Sequence, residues 1–289
     1  MNCVACELAG RDVVCSIQEK FGSKLPIRIQ GYCRQSQQYP RRGKMKNYID
    51  IHSHILPGID DGSDNLEMSM EMLHMAVQDG ISQIVLTPHN KPWRRRGSCS
   101  EVADGVALLQ GKLAEEHLEI KLYPGNELYY RSGLIEELME GRAGTLANSH
   151  YVLVEFEPSA DYDYIRNGVY TLLAGGYYPI LAHVERYKNI CTKMARVAEL
   201  IEMGCFIQVN AGSIMGEYGF AVSRLTKKLL KQGLVHFVAT DTHDLGKRCP
   251  CLSECAVYVE KKYGEGSSKR LFLDNPMCVL RDEYIGMNT

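Results

Sequence analysis

The sequence predicts an α/β fold, a distorted (β/α)7 barrel related to the TIM type, preceded by a disordered N-terminal arm. Three observations lead to this prediction. From residue 48 onward, apolar runs rich in β-branched and aromatic residues alternate with helical patterns, and seven such units follow one another. The runs are almost continuously apolar, which is typical of a parallel sheet covered by helices. The first 44 residues show neither the two-residue period of a strand nor the 3.6-residue period of a helix.

Seven runs are predicted to be the strands of the barrel. They are YIDIH (48–52), QIVLTPH (83–89), IKLYPGNE (120–127), YVLVEFE (151–157), YPILAHVE (178–185), CFIQVN (205–210) and VHFVATDTH (235–243). In barrels of this kind the chemistry lies at the C-terminal ends of the strands. The residues that end each run are therefore the informative ones.

Helices are predicted between these strands. The first opens with Asp64 and Glu67 at the spacing of a capping box and ends at Gly80. Leu66 and Leu73 lie on its apolar face. The other helices are predicted near residues 100–117, 132–141, 162–175, 193–204, 221–232 and 251–273.

Two regions of different character divide the chain, a basic extension at residues 1–44 and the barrel domain at residues 45–289. Residues 1–47 contain 9 Lys and Arg against 3 Asp and Glu, whereas the remainder contains 24 against 32. Because Met45 lies just before the first strand, one hypothesis is that the native protein starts there. The acidic barrel domain gives no support for nucleic-acid binding.

Cysteine usage indicates a reducing, cytoplasmic compartment, because the 11 cysteines are odd in number and scattered. Cys3 and Cys6 form one close pair, with Cys15 and Cys33 further on. No second close pair completes a zinc site, so none is predicted. The chain has no run of about 18 apolar residues, so membrane insertion is not expected. The sequence leaves the oligomeric state open.

Candidate metal ligands occur where the predicted strands end. In each of the pairs His52 with His54 and Asp241 with His243, residues i and i+2 project to one face about 7 Å apart. Closing a barrel makes the first and last strands neighbours, which brings the two pairs together. The full set is His52, His54, Asp61, His89, Glu127, Glu155, His183, Asp241 and His243.

Nine ligands exceed the four to six or so that one ion needs, so the set fits two or three metal ions. An all-nitrogen and oxygen set suits Mn, Fe or Zn in a catalytic site better than a thiolate-rich structural zinc. In the loop GIDDG, Asp60 competes with Asp61 for the ligand position. Asp61 is the preferred candidate.

Several motifs occur in one order between residues 46 and 285. They are DIHSHILPGIDDG, TPH, GNELYY, LVEFE, AHVERY, QVN and ATDTHDLGKR. Together they resemble the polymerase-and-histidinol-phosphatase (PHP) superfamily, and within it the CpsB/CapC-type tyrosine-protein phosphatases of bacterial capsule and exopolysaccharide loci. The resemblance implies a PHP-type barrel with a trinuclear, usually Mn2+, centre.

The resemblance also implies roles for individual residues. One ion would take His52, His54, Glu127 and Asp241, a second would share Glu127 and add Glu155 and His183, and a third would take Asp61, His89 and His243. Arg186 and Arg248 match arginines that face the substrate phosphate. Asn90 stands where many relatives have a second histidine, and we expect no effect on metal binding.

The expected activity is hydrolysis of phosphotyrosine on a protein, with a bacterial tyrosine kinase as the implied substrate and partner. A hydroxide supplied by the metals would attack phosphorus while Arg186 and Arg248 hold the equatorial oxygens. Arginine suits this role because its guanidinium makes bidentate contacts with phosphate.

Three alternatives remain. The nearest is a histidinol-phosphate or sugar-phosphate phosphatase of the same superfamily. A non-catalytic metal-bound scaffold is less favoured because every ligand position is filled. An amidohydrolase would normally have a carbamylated lysine on a middle strand, where this chain has Glu155.

Other residues near the predicted site have weaker signals. The loop Asn90 to Gly97, with the sole Trp93, is either a solvated basic turn or a cationic, aromatic rim for an acidic phosphopeptide. The chain lacks the Cys-x5-Arg loop of thiol phosphatases, so Cys249 and Cys251 are interpreted as bystanders.

Overall fold

A computed structural model of the chain describes residues 7–9, 12–14, 47–93, 97–191 and 193–286. The chain divides into two units, Met1–Arg41 and Arg42–Thr289. Within the first unit, strands β1 (Glu7–Ala9) and β2 (Asp12–Val14) pair in antiparallel fashion. The rest of the predicted disordered arm, and the cysteines in it, lie outside the described residues.

The second unit is a parallel barrel surrounded by helices, as predicted. Its strands are β3 (Tyr48–Asp50), β4 (Ile81–Leu86), β5 (His89–Asn90), β6 (Lys121–Pro124), β7 (Glu127–Tyr129), β8 (Tyr151–Glu155), β9 (Tyr178–Leu181), β10 (Phe206–Asn210) and β11 (Phe237–Ala239). One sheet has the order β11-β10-β9-β8-β7-β5 and the other has the order β3-β4-β6, and every pairing in both sheets is parallel.

Two of the seven predicted runs are interrupted strands. The second run breaks at Thr87 and Pro88, between β4 and β5, and the third breaks at Gly125 and Asn126, between β6 and β7. Proline has no amide hydrogen, so Pro88 cannot donate to a strand ladder. Both breaks lie immediately before a candidate ligand. Each of these two ligands therefore begins a short separate strand, β5 or β7.

The barrel closes between its first and last strands, beyond the regular ladder of β3 and β11. The amide of Asp241 donates to the carbonyl of His52 at 2.9 Å, and the amide of His54 donates to the carbonyl of Thr242 at 2.9 Å. Ser53 and Thr242 form a parallel bridge between them. The predicted neighbourhood of the two ligand pairs is therefore observed.

Helices cover the outside of the sheet. They are α1 (Leu66–Asp79), α2 (Cys99–Glu115), α3 (Leu134–Met139), α4 (Tyr162–Ala174), α5 (Lys188–Cys191), α6 (Met194–Glu202), α7 (Ala211–Met215), α8 (Phe220–Lys231), α9 (Ser253–Tyr263), α10 (Glu265–Lys269) and α11 (Asn275–Arg281). A π-helical turn, Arg270–Asp274, joins the last two. Among these described helices, none is both long enough and apolar enough to cross a membrane.

Apolar side chains fill two separate layers. The larger cluster lies between the sheet and the helices and includes Leu73, Leu109 and Ile165. A second cluster contains strand residues such as Ile49 and Leu153. Full burial of such side chains stabilises the fold by about 1.5–3 kcal/mol each, so the barrel is a rigid support for the polar residues at its mouth.

Two local predictions were wrong. The first helix begins at Leu66, and Asn65 is its N-cap, because the Asn65 side chain accepts a hydrogen bond from the amide of Met68. The predicted helix at 251–273 is not continuous, because Gly264 ends α9 with a φ of 90°. That conformation is costly for residues other than glycine.

Candidate metal centre

Polar side chains that end different strands converge on one buried volume at the barrel mouth. Four groups have donor atoms within 4.8 Å of one another. They are His52, His54 and Asp241; His52, Glu127 and His183; His89, Glu127 and Glu155; and His54, His89 and His243. These overlapping groups contain eight of the nine predicted ligands.

The first subset combines the two ends of the barrel. The Nε2 atoms of His52 and His54 are 3.2 Å apart, and each lies 3.4 Å from Oδ1 of Asp241. Each also lies 3.5 Å from Oε2 of Glu127. Four donor atoms, from β7 and from the chain just after β3 and just after β11, therefore face a common point, as the ligands of one cation do.

Glu127 connects this subset to the others because its two oxygens face different partners. Oε1 lies 2.7 Å from Nε2 of His183, and Oε2 lies 2.7 Å from Nδ1 of His89. Glu155 completes this side, with Oε1 3.2 Å from Nδ1 of His89. A carboxylate placed between two sets of donors is suited to bridging adjacent ions.

The two aspartates of the first loop have different surroundings. Asp60 has a side chain that is 1 % exposed, and its Oδ2 lies 2.6 Å from Nδ1 of His54. Asp61 has a side chain that is 48 % exposed, and its Oδ1 lies 3.4 Å from Nε2 of His89. Asp60 therefore supports the His54 ring on the side away from the cluster, whereas Asp61 faces the rim. The choice of Asp61 as a metal ligand stays a prediction.

Hydrogen bonds behind three imidazoles determine which nitrogen faces the cluster. Nδ1 of His54 contacts Asp60, Nδ1 of His52 lies 3.3 Å from Oε1 of Gln208, and Nδ1 of His243 lies 2.9 Å from the carbonyl of Asp241. A protonated Nδ1 that donates to such oxygens leaves a lone pair on Nε2. The arrangement is typical of metal-binding histidines.

The charges of the cluster shift its pKa values strongly. Burial disfavours the charged form of His54, but Asp60, Asp241 and Glu127 outweigh burial and hold the pKa of its imidazole well above the ordinary value. For His89, the same competition between burial and Glu127 raises the pKa to about 9. A cation that binds here must therefore displace protons.

The buried acceptors also fit a cation. Oε2 of Glu127 and Oε1 of Glu155 are buried and have no partner with hydrogen-bond geometry among the described residues, and the same holds for Nδ1 of His89. Buried polar atoms normally have a partner. Buried carboxylate oxygens and imidazole nitrogens that lack such partners fit a site for two or three metal ions.

Two arginines flank the cluster at Asp241. Nη2 of Arg186 donates to Oδ2 at 2.6 Å, and Nη2 of Arg248 lies 2.8 Å from Oδ1. Their side chains are 37 % and 25 % exposed, so both keep donors directed to the mouth or solvent. Both predicted phosphate-binding residues therefore lie beside the cluster.

The backbone is unusual at two candidate ligands. His183 has a φ of 36° and Asp241 has a φ of 53°, in the left-handed region that non-glycine residues seldom adopt. Such conformations cost about 1–3 kcal/mol and concentrate at functional sites. The fold holds both residues where their side chains meet the cluster.

Several contributing residues were not predicted as part of the site. Gln208 accepts from the amide of His183 at 2.7 Å and contacts His52, while Asn210 donates to Oδ2 of Asp241 at 2.8 Å. Asp50, the last residue of β3, accepts from the amide of Thr240, just after β11, at 3.1 Å. Strand alternation could have identified two of them. Asp50 lies two residues before His52, and Gln208 lies two residues before Asn210, so each shares a strand face with a residue of a recognised motif.

Comparison with known proteins gives the family. The family model described as "Capsular polysaccharide synthesis, CpsB/CapC" matches residues 48–281. The chain belongs to the CpsB/CapC family. Tyrosine-protein phosphatase CpsB of Streptococcus agalactiae serotype III is 34 % identical over 248 residues, covering 82 % of this chain and 100 % of that protein.

Two further relatives of this CpsB/CapC chain extend the comparison. Tyrosine-protein phosphatase YwqE of Bacillus subtilis is 30 % identical over 237 residues, covering 82 % of this chain and 93 % of the relative. A crystal structure from a study of YwqE and of CpsB of Streptococcus pneumoniae, described as unique metal-dependent tyrosine phosphatases, has a TM-score of 0.77 and 31 % identity. It covers 81 % of this chain and 95 % of the other.

A more distant solved structure shares the fold alone. Histidinol phosphate phosphatase from Lactococcus lactis has a TM-score of 0.50 and 15 % identity, over 75 % of this CpsB/CapC chain and 94 % of the other chain. Together with the barrel described above, these matches confirm the predicted PHP-type architecture.

Two remaining sequence interpretations concern nearby thiols and aromatics. The Sγ atoms of Cys249 and Cys251 are 3.1 Å apart, next to Arg248. Nothing in this geometry gives them a catalytic role, and the bystander interpretation stays a prediction. In the loop after His89, residues 94–96 lie outside the described residues, while Trp93 packs on Tyr129.

Proposed function

We propose that this chain is a metal-dependent tyrosine-protein phosphatase that acts in bacterial capsular or exopolysaccharide synthesis. One observation carries the proposal. The ligand-type side chains converge on Glu127, and two arginines lie on the carboxylate of Asp241 at the open side of that cluster. The relatives named as tyrosine-protein phosphatases support the same activity.

The residues proposed to hold metal are the nine predicted ones. His52, His54, Glu127 and Asp241 would bind one ion, Glu127 with Glu155 and His183 a second, and Asp61 with His89 and His243 a third. Mn2+ is the proposed metal, with Fe or Zn as alternatives, since the donors are all nitrogen and oxygen. When bound, such ions neutralise the phosphate dianion and lower the pKa of water from about 15.7 toward neutrality.

Arg186 and Arg248 would orient the phosphate. Both guanidiniums contact Asp241 through one nitrogen, which leaves their other donors for equatorial phosphate oxygens. Asp241 thus aligns the two guanidinium groups on one side of the cluster. Negative charge on the phosphate develops there during phosphoryl transfer.

The loop after the last strand preorganises Arg248. Oδ1 of Asp244 accepts from the amides of Gly246 and Arg248 at 2.7 and 3.0 Å, and the hydroxyl of Thr242 donates to the carbonyl of Arg248 at 2.7 Å. A guanidinium on a fixed backbone loses less entropy when it binds phosphate.

The leaving group suits a site of this composition. Phosphotyrosine leaves as a phenolate whose conjugate acid has a pKa of about 10, so it needs less help from a general acid than a serine alkoxide. The proposed substrate is phosphotyrosine on a cytoplasmic protein, in particular a bacterial tyrosine kinase.

A pair of matched variants tests this function. Glu127→Gln removes the bridging charge, and Glu119→Gln makes the same change at an exposed position. We expect Glu127→Gln to lower hydrolysis of a phosphotyrosine peptide by about 100-fold or more, because several ligands lose their common partner. Glu119→Gln should retain wild-type turnover.

Histidinol phosphate serves as the competing substrate in the same assay. The proposal predicts higher kcat/KM for the phosphotyrosine peptide. Equal hydrolysis by Glu127→Gln and wild type would refute the metal site, and preference for histidinol phosphate would refute the substrate assignment.

A further inference from the structure

Trp93 and the partly buried Tyr129 form an aromatic pair near the candidate metal centre. Their ring centroids are 4.5 Å apart and their planes meet at 80°, an edge-to-face contact. The indole nevertheless remains 61 % exposed. A large apolar side chain that is held by a neighbour yet open to solvent is a frequent feature of binding sites.

The position of Tyr129 relates this pair to the cluster. Tyr129 is two residues beyond Glu127 on β7, so both side chains project from the same face of the strand, about 7 Å apart. In the register of the sheet Tyr129 lies opposite Glu155 on β8. The phenol ring therefore stands one strand repeat further out than the central carboxylate.

Lys91 ties the segment that leads to Trp93 to the cluster. Its Nζ lies 2.8 Å from Oε1 of Glu155 and 3.5 Å from Nε2 of His89. Trp93 follows two residues later and reaches Tyr129. The segment from His89 to Trp93 thus connects a candidate ligand, a cation and an aromatic side chain in sequence.

We propose that Trp93 and Tyr129 form a subsite for the aromatic ring of an aryl phosphate, and that this pair selects phosphotyrosine over alkyl phosphates. The inference rests on the proposed function of the adjacent cluster. An ester oxygen alone separates the phosphorus of phosphotyrosine from its ring, so a phosphate in the cluster brings the ring to the rim. A short alkyl phosphate presents no flat surface there.

Neighbouring aromatic residues serve a different purpose. Tyr130, the residue after β7, packs on Phe156 and Tyr164, with centroids 4.9 and 5.5 Å away. These residues contribute to packing. Tyr170, on α4, is 65 % exposed and supplies a matched control for removal of an exposed ring.

The sole tryptophan of the chain is Trp93, so its fluorescence reports on this subsite directly. The Mn2+-loaded protein is titrated with phenylphosphonate and with methylphosphonate, which share an anionic group and resist hydrolysis. Binding is measured in parallel by calorimetry. We expect saturable change of Trp93 emission with phenylphosphonate only, and tighter binding of that compound by about 3- to 10-fold.

Variants at Tyr129 and Trp93 give the kinetic test. Trp93→Ala and Tyr129→Ala should each raise KM for a phosphotyrosine peptide by about 3- to 10-fold with kcat within about twofold. Tyr129→Phe, which keeps the ring, should keep KM near the wild-type value, and Tyr170→Ala is the control that should behave as wild type. Inhibition by inorganic phosphate should be unchanged in all four.

The outcomes separate this inference from the proposed function. Equal affinity for both phosphonates, or an unchanged KM in Trp93→Ala, overturns the aromatic subsite while the phosphatase activity stands. Failure of both phosphonates to bind, together with no hydrolysis of the peptide, overturns the proposed function and the subsite with it.

Discussion

Nδ1 of His54 lies 2.6 Å from Oδ2 of Asp60, and both side chains are buried. The same Oδ2 accepts a hydrogen bond from the amide of His89 at 2.9 Å. One carboxylate thus fixes the ring of His54, just after β3, and the backbone of His89, in β5. Contacts of this kind behind a metal ligand orient the imidazole and raise its basicity.

Asp60→Asn should weaken metal binding without unfolding the protein. The neutral amide removes the charge that supports His54, so we expect the apparent affinity for Mn2+ to fall about 10- to 100-fold. Calorimetric titration of metal-stripped protein measures this change. The exposed Asp64→Asn is the control, and equal affinities in the two variants would contradict a role for Asp60.

The loop that carries Asp60 and Asp61 depends on Gly62. A Cβ added there would lie 2.1 Å from the carbonyl oxygen of His54 and 2.5 Å from its Cβ. Gly62→Ala should therefore displace the loop and lower the free energy of unfolding by about 1–3 kcal/mol.

Gly111→Ala is the matched control for that substitution. Gly111 lies within α2, and apart from its chain neighbours and the helix backbone no atom lies within 4 Å of an added Cβ, so alanine should stabilise the helix by about 0.5–1 kcal/mol. Denaturant unfolding of both variants measures the contrast. A Gly62→Ala protein as stable as wild type would show that the loop is not tightly constrained.

His236 should make the protein sensitive to acid. Burial, with Arg270 nearby, lowers the pKa of its imidazole from 6.5 to about 4. In the unfolded chain His236 binds a proton below about pH 6.5. In the folded chain it binds that proton only below about pH 4. Stability is therefore lost as pH falls through this window, by about 2–3 kcal/mol.

His236→Asn tests this contribution. The asparagine oxygen can replace Nδ1 as the acceptor for the amide of Ile207, which lies 3.1 Å away. Unfolding free energies of metal-stripped wild type and variant are compared between pH 7 and pH 4. We expect a shallower loss in the variant, and parallel profiles would exclude His236 as the source.

The sequence was sufficient for the parts of the molecule that follow from strand periodicity. Because residues i and i+2 share a face, His52 and His54 could be assigned to one pocket, and barrel closure brought Asp241 to them. All nine predicted ligands, together with Arg186 and Arg248, lie at one mouth. The metal roles of the nine ligands and the phosphate role of the two arginines remain predictions.

Loop geometry and long-range side-chain contacts could not be predicted in the same way. Asp60 and Asp61 are adjacent in a turn without a period, so burial of one and exposure of the other depend on the tertiary fold. The contact between Gln208 and His52 spans 156 positions along the chain, and no local pattern encodes it. The break at Gly264 depends on a positive φ that only the folded chain reveals.

Stepwise return of metal tests the central claim most directly. Protein stripped by a chelator receives Mn2+ in increments, and bound ions per chain and hydrolysis of a phosphotyrosine peptide are measured on the same samples. The overlapping ligand groups around Glu127 predict no hydrolysis without metal and a full rate only when at least two ions are bound per chain. Full hydrolysis by the stripped protein, or with fewer than two ions bound per chain, would contradict the account.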